Sequence, residues 1–177
     1  VTLAANAVLQ NFLMFGSFAL DGFAHAAETL VGQAYGAEKR KQFMWAVRKT
    51  TIWSVVSAIV MSAMFAVAGP WIIDALTSIP EVRTASYEYL IWAVILPVTG
   101  VLGFQFDGVF LGAMQTKHWR NMMLVSVAIY AGFAWWAVTM GSNHFLWAAF
   151  NGFFLLRGLT LMVLFPTIIP KPRQAVA

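Results

Sequence analysis

The sequence predicts an all-α fold, a polytopic transmembrane helical bundle of about five spans that forms one domain over residues 1–177. Hydrophobic residues make up 60% of the chain and charged residues only 10%, whereas soluble domains are roughly 45–50% apolar and about 25% charged. Apolar stretches recur along the whole length, and about 20 such residues are enough to cross a bilayer once. We therefore expect the lipid bilayer to surround most of the chain.

The first two spans are long and contain residues that disturb helices. The first covers about residues 3–34, so we expect it to tilt, to bend at Gly16 or Gly22, or to extend past the bilayer. The second covers about residues 50–76, and its Gly-Pro pair at residues 69–70 is expected to break the helix near the far end.

Three further spans complete the bundle. The third covers about residues 87–114 and contains Pro97, where a kink is expected. The fourth covers about residues 122–140. The fifth covers about residues 145–169 and is closed by the Pro-Lys-Pro sequence at residues 170–172.

Basic residues are concentrated on one side of the predicted bundle, and they predict its orientation. Because basic loops stay in the cytoplasm, that side and the C-terminus are expected to be cytoplasmic, in the inner (plasma) membrane of a bacterium. The net charge of +4 is then a topology signal, and nucleic acid is not expected as a partner. Nine of the eleven basic residues lie on this side: Lys39, Arg40, Lys41, Arg48, Lys49, Lys117, Arg120, Lys171 and Arg173.

The same topology places the N-terminus outside the cell. An odd number of spans that starts outside at Val1, without a basic and apolar leader, indicates that at least one helix precedes this chain. We therefore expect a missing N-terminal lobe of the same protein to be a partner of the chain.

Asp21, His25 and Glu28 lie at spacings of four and three inside the first apolar span. On a helix these steps place the three side chains on one face, which upstream includes Gln10. Ionisable groups are costly in lipid, so they usually face a protein interior or a water-filled cavity. The stripe therefore predicts that the protein handles a polar or charged species within the membrane. Structural pairing of the two acids with neighbouring helices is the alternative.

Two more ionisable residues lie inside later spans. Asp107 lies deep in the third span, two positions after Gln105, and Arg157 lies near the middle of the fifth. Close packing through nearby glycines explains the surroundings of Asp107 but not its carboxyl group, which indicates a function. Arg157 always carries its charge, so it needs a carboxylate, carbonyl oxygens or water. An internal ion pair and a role in binding substrate are both open for Arg157.

Other kinds of chemistry find no support in the sequence. There is no cysteine, and the three histidines are too far apart to suggest a metal site. No phosphate-binding loop and no serine–histidine–acid set is present. We therefore expect no catalytic residues, no metal and no cofactor other than a coupling ion, and we do not expect an enzyme.

Several segments carry a recognisable pattern. The first span reads LAANAVLQ at residues 3–10 and FALDGFAHAAETLVGQAYGA at residues 18–37, and the third span reads FDGVFLGA at residues 106–113. The fifth span contains LWAAF at residues 146–150 and LRGLT at residues 156–160. In order and spacing, these segments resemble the second lobe of MATE (multidrug and toxic compound extrusion) transporters. The resemblance is strongest to the DinF-like branch, named for DNA-damage-inducible proteins.

The resemblance implies a fold and an activity. Such transporters have twelve helices in two lobes, and this chain would correspond to helices eight to twelve. They export organic cations or other amphipathic compounds in exchange for protons or sodium ions. Asp107 would be a second-lobe acid linked to cation coupling, while Asp21, His25 and Glu28 would belong to the signature of the branch. Because the first lobe is absent, the chain alone is not expected to transport.

Three other functions remain open on the residues alone. A flippase for lipids or lipid-linked oligosaccharides shares the broader architecture, but it would favour a more cationic cavity than one supplied by Arg157. An intramembrane aspartyl protease would need Asp21 and Asp107 to meet, and the usual sequence context around the acids is missing. A purely structural membrane subunit would not need embedded acids.

Overall fold

The computed structural model describes residues 1–170, which form five α-helices joined by short turns. Each helix is long and apolar enough to cross a membrane, and the described residues contain no strand. The prediction of an all-α polytopic bundle is thus confirmed. Lys171, Pro172 and Arg173, used above for topology and helix termination, lie outside the described residues. The helices are α1 (Thr2–Gly36), α2 (Arg40–Leu76), α3 (Pro80–Gly112), α4 (Thr116–Thr139) and α5 (Asn143–Ile168).

Two helices begin well before the apolar spans predicted from the sequence. Helix α2 starts at Arg40 rather than near residue 50, because its first turns are amphipathic: Phe43 and Ala46 are buried while the basic residues face outward. Helix α3 starts at Pro80 rather than near residue 87, since proline is well suited to a first helical turn. The basic residues assigned to a loop after α1 therefore lie mostly on α2 itself.

Proline does not end α2. The expected break at residues 69–70 is wrong, because the helix continues through Pro70 to Leu76. A proline removes one hydrogen bond of the helix, and membrane helices tolerate this loss when neighbouring groups compensate. Helix α1 likewise runs unbroken from Thr2 to Gly36. Helix α5 ends two residues before Pro170, as expected from the sequence.

Helix α3 is the centre of the bundle. It contacts all four other helices, whereas α4 packs mainly against α5 and touches α3 only slightly. Six consecutive residues of α3, from Gln105 to Phe110, are buried, so this stretch is covered on every side. In α4 the only buried residues are Ser126 and Ala137. Polar residues in the covered stretch of α3 must therefore find partners on its neighbours.

Glycines allow α1 and α3 to touch through their backbones. A Cβ atom on Gly108 would overlap the carbonyl oxygen of Ala24, and one on Gly112 would lie 2.5 Å from that of Glu28. Both helices advance by four residues between these contacts, so they run parallel. Small residues four apart are a common way for membrane helices to pack closely.

Each of three helix ends is closed by one residue in the left-handed conformation. Glu38, Met114 and Gly141 have φ values of 56°, 57° and 63°. After Met114, the N–H of Gln115 donates to the carbonyl oxygen of Phe110 at 2.8 Å, which caps α3. Only Gly141 adopts this conformation without a steric cost, so Glu38 and Met114 are strained positions.

Replacing Gly108 with alanine is expected to destabilise the bundle by about 2 kcal/mol or more, because the new methyl group overlaps the backbone of α1. Thermal unfolding of the detergent-solubilised protein, followed by circular dichroism, measures the effect. Gly132→Ala on α4 is the matched control, since its Cβ would meet nothing within 4 Å and should improve helix propensity. Equal melting temperatures for the two variants would contradict the close packing of α1 and α3.

Replacing Met114 with glycine is expected to stabilise the protein by about 1 kcal/mol, because glycine removes the cost of a left-handed φ. Met114 is 82% exposed, so the substitution sacrifices little packing. The same thermal unfolding assay checks this result, with Met123→Gly inside α4 as a control expected to lower the melting temperature. A lower melting temperature for Met114→Gly would show that the turn carries no strain.

Candidate functional site

A buried ion pair lies where α3, α4 and α5 meet. Asp107 on α3 accepts hydrogen bonds at Oδ1 from Trp119 Nε1 at 2.7 Å and from Arg157 Nε at 3.2 Å. The Nη2 atom of Arg157 also pairs with Asp107 Oδ2. The two charged side chains are only 11% and 13% exposed. Both carboxylate oxygens are thus engaged, which is the condition under which a buried charge is tolerated.

Glycines let α3 and α5 approach each other closely beside this pair. A Cβ on Gly158 would lie 2.7 Å from the backbone nitrogen of Gly103, so α3 and α5 touch one turn away from Asp107. A Cβ on Gly103 would lie 3.8 Å from Cδ of Arg157, which shows that the arginine stem runs along the glycine surface of α3. The tight turn at Met114 then reverses the chain and places Trp119 beside the carboxylate.

Asp21 is the second acid at this centre. It lies on α1, is half-buried, and is near enough to Asp107 for the two carboxylates to repel each other. The packing of Ala24 against Gly108 brings the two helices together at this level. Among the described residues, Asp21 receives no hydrogen bond. Asp21 therefore lies in the same region of the bundle as Asp107 and Arg157, but it is not part of their ion pair.

The rest of the predicted stripe lies on the open side of α1. The Nδ1 atom of His25 is 3.5 Å from Oε2 of Glu28, and the two side chains are 79% and 45% exposed. Gln10 is also exposed and lies farther towards the N-terminal end of the helix. His25 and Glu28 are thus on the open side of α1, whereas Gln10 borders a cavity next to α4 and α5. The structure therefore groups Asp21 with Asp107 and Arg157, and separates it from His25, Glu28 and Gln10.

Gln105 lies on the opposite side of α3 from Asp107. It is 1% exposed, and its Nε2 donates to Oγ1 of Thr50 on α2 at 2.7 Å. Two residues along a helix correspond to a rotation of roughly 200°, so Gln105 and Asp107 cannot share one site. Its Oε1 atom has no partner among the described residues. Gln105 thus joins α2 to α3, and it does not face the ion pair.

Trp119 was not predicted as part of the site. Its sequence position near a helix end is typical of a membrane-interface anchor, yet its indole N–H binds Asp107. Asp107 itself lies five residues before the end of α3, about 7 Å along the helix axis, rather than deep in the span. The turn between α3 and α4, residues 113–115, is short, and this shortness was the feature that could have indicated a contact between Asp107 and Trp119.

An aromatic cavity of about 480 Å³ lies between α4 and α5. Tyr130 borders it and also a smaller cavity of about 190 Å³ that reaches Asn6 and Gln10. Asn6 is held by Trp147 Nε1 at 2.9 Å, so its amide is fixed at the cavity wall. No charged residue lines either cavity. The aromatic residues around the larger one are Tyr130, Phe133, Trp136, Phe145 and Phe153.

Comparison with known proteins identifies the family. The MatE family model matches residues 1–136 of the chain, a range that includes Asp21, Asp107 and Trp119 and ends before Arg157. The chain belongs to the MatE family. This confirms the resemblance to MATE transporters seen in the sequence.

A curated MatE relative supports the DinF-like branch. DNA damage-inducible protein F of Escherichia coli (strain K12) is 43% identical over 161 residues, which are 90% of this chain and 34% of the relative. The chain thus spans about a third of the length of the relative it matches. No solved structure matches the chain. Together with the five long apolar helices, these comparisons describe a multi-pass membrane protein.

Breaking the ion pair from one side is expected to be costly. Arg157→Met leaves a buried carboxylate without its cation and should lower stability by about 3 kcal/mol, whereas Trp119→Phe removes one hydrogen bond and should cost about 1 kcal/mol. Chemical unfolding in detergent measures both changes.

The double variant Asp107→Leu/Arg157→Met is the control for this experiment. It removes both buried charges, so it should recover most of the stability lost in Arg157→Met. If the losses of Asp107→Leu and Arg157→Met simply add in the double variant, the two residues are not coupled and the ion pair is absent in solution.

Proposed function

We propose that this chain is part of a secondary active multidrug antiporter, which exports organic cations or amphipathic compounds in exchange for protons or sodium ions. The observation that carries the proposal is the acid–arginine centre of Asp107, Arg157 and Asp21 inside helices long enough to span a membrane. Membership of the MatE family and the likeness to DNA damage-inducible protein F support it.

The charge balance of the centre suits antiport. One carboxylate is neutralised by Arg157, and a second, Asp21, lies close to it without a hydrogen-bond partner among the described residues. A proton or a cationic substrate arriving at the centre changes which charges are paired, because in a partly dry environment each unpaired charge is costly. Ion and substrate thereby compete for the same negative charge, which is the requirement for exchange.

The aromatic cavity indicates the class of substrate. Its volume of about 480 Å³ lies within the range of sites for drug-sized molecules, and its walls are almost entirely apolar. Aromatic faces attract organic cations, and flat side chains such as Trp136 and Phe145 accommodate many apolar shapes. We propose that it takes the apolar part of an amphipathic compound.

The proposed setting is the bacterial inner membrane, with the C-terminus in the cytoplasm. The other wall of the transport pathway is proposed to come from an N-terminal lobe of the same protein, since this chain spans about a third of its relative. His25 and Glu28 lie on the open side of α1, where such a lobe would find polar groups. The lipid bilayer and a small-molecule substrate are the other proposed partners, and nucleic acid is not among them.

The alternatives are less well supported by the same centre. A lipid flippase would need a free cation to bind phosphate, whereas Arg157 is already paired with Asp107. An aspartyl protease would need two carboxylates that share a water molecule, and both oxygens of Asp107 are occupied. Neither reaction is favoured by a specific observation within residues 1–170.

Asp107→Asn in the full-length parent is expected to abolish efflux of a fluorescent organic cation or reduce it at least about tenfold, because the centre loses its exchangeable charge. Efflux is measured in proteoliposomes, with proton and sodium gradients applied separately. Glu81→Gln, at the other end of α3 and exposed, is the matched control and should transport normally.

Membrane insertion and melting temperature of Asp107→Asn are checked in parallel, since Arg157 loses its partner in this variant. Normal efflux by an Asp107→Asn variant would remove this residue from the mechanism. Absence of efflux by the unmodified parent under both gradients would contradict the proposed antiport itself.

A further inference from the structure

Helix α2 is much longer than one crossing of a bilayer requires. Its 37 residues correspond to about 55 Å, whereas the hydrocarbon core of a bilayer is about 30 Å thick. No charged residue occurs between Lys49 and Asp74. The large exposed apolar side chains of this interval run from Ile52 to Trp71, over about 29 Å of the helix. The apolar interval therefore matches the hydrocarbon core, and Lys49 lies at its edge, at the level of the lipid headgroups.

The first three turns of α2 carry basic side chains on the face that points away from the bundle. Arg40, Lys41, Arg48 and Lys49 are all exposed. Within residues 1–170, neither Arg48 nor Lys49 forms an ion pair with an acidic side chain. Like charges so close together repel one another, so this surface is stabilised by an anion that binds between them.

A shallow apolar groove begins one helical turn after Lys49. It lies between α1 and α2, has a volume of about 310 Å³, and is lined mainly by Phe15, Trp53, Val60 and Met64. Lys49 and Trp53 are four residues apart, so they lie on one face, about 6 Å apart along the helix axis. Trp53 and Val60 are 61% and 63% exposed, so the groove is open to the surroundings of the bundle. The basic surface thus continues directly into an apolar groove at the depth of the hydrocarbon core.

We propose that the basic surface and the groove form one binding site for an anionic phospholipid. Arg48 and Lys49 bind the phosphate group, and the groove between α1 and α2 holds an acyl chain. The two parts follow each other along α2 in the order in which a lipid presents its headgroup and its chain. Such a site does not depend on the proposed antiport. In the proposed orientation, the lipid belongs to the cytoplasmic leaflet.

An anionic headgroup fits this site better than a zwitterionic one. A zwitterionic lipid carries a cation of its own, which Arg48 and Lys49 repel. Each basic residue near an anionic membrane surface raises the affinity about fivefold. Trp45 is 59% exposed and lies one turn before Lys49 on the same face, and an indole is favoured at the level of the headgroups.

Photo-crosslinking of the purified full-length parent in nanodiscs tests the proposal and requires no transport. Two probes carry the same photoreactive acyl chain, one on phosphatidylglycerol, which is anionic, and one on phosphatidylcholine, which is zwitterionic. Each probe is a minor component of phosphatidylcholine nanodiscs, and mass spectrometry identifies the labelled peptides. We expect the ratio of phosphatidylglycerol to phosphatidylcholine labelling at Trp53–Met64 to exceed the mean ratio of the other labelled peptides at least about fivefold.

Matched charge variants assign this preference to the proposed residues. Arg48→Gln/Lys49→Gln should bring the ratio at Trp53–Met64 down to the mean of the other peptides. Lys117→Gln/Arg120→Gln removes the same charge from exposed positions on α4, at the same end of the bundle, and should leave the ratio unchanged. Arg48→Lys/Lys49→Arg keeps both charges and should keep the preference.

A second pair of variants tests the groove. Val60→Trp fills it and should lower the labelling of this segment by both probes at least about fivefold. Val67→Trp changes a valine that is 68% exposed on the same helix but outside the groove, and it should label as the unmodified protein does. If Arg48→Gln/Lys49→Gln does not fold, the ratio in the unmodified protein and the effect of Val60→Trp still decide the outcome.

Equal ratios at Trp53–Met64 and at the other peptides of the unmodified protein would overturn the proposal, because the groove would then hold ordinary bilayer lipid. Absence of labelling of this segment by either probe would also overturn it, since another part of the parent would cover the groove. Loss of the preference on addition of millimolar inorganic phosphate at constant ionic strength would show a site for the free anion instead of a lipid. None of these results bears on efflux, so they leave the proposed antiport to its own test.

Discussion

A charge buried among apolar helices has to be paired, and in this protein that requirement determines how three helices meet. Asp107 and Arg157 come from α3 and α5, and Trp119 joins them from α4. Helix α4 touches α3 only slightly elsewhere and packs mainly against α5, so the bond from Trp119 is a specific tie between α4 and α3. The glycines at the crossing of α3 and α5 let the two backbones approach closely, which brings Arg157 within reach of Asp107.

On the side of α3 that faces α1, the two helices touch through their backbones. Gly108 and Gly112 let α1 approach α3 closely enough to bring Asp21 into the field of Asp107. The rotation that this contact imposes on α1 leaves His25 and Glu28 on its open side. Helix α1 therefore contributes to two surfaces. Asp21 lies on the inner one, near the ion pair, and His25 and Glu28 lie on the outer one, where they are accessible to other parts of the whole protein.

The membrane class and the five helices could be predicted from the sequence, because length and hydrophobicity alone determine which segments cross a bilayer. The start of α2 was misplaced because charged residues such as Arg40 were assigned to a loop, although a helix can carry them on one face. The acids were predicted as candidates because charges are rare in lipid. Their grouping was not predictable, since it depends on helix rotation: two residues separate Gln105 from Asp107 along the chain, yet they bind different helices. Trp119 was missed because a tryptophan near a helix end can either anchor the helix at the membrane interface or donate a hydrogen bond inside the bundle.

The central claim is that the Asp107 carboxylate and the Arg157 guanidinium form one coupled ion pair, and infrared difference spectroscopy of the full-length parent tests it most directly. Spectra recorded above and below the protonation step, with isotope-labelled arginine, report the carboxyl C=O stretch and the guanidinium vibrations together. The account predicts that a protonated carboxyl band and a shifted arginine band appear together on acidification, and that both are absent in Asp107→Asn. A carboxyl band that forms with no change in the arginine vibrations, or one that persists in Asp107→Asn, would contradict the account.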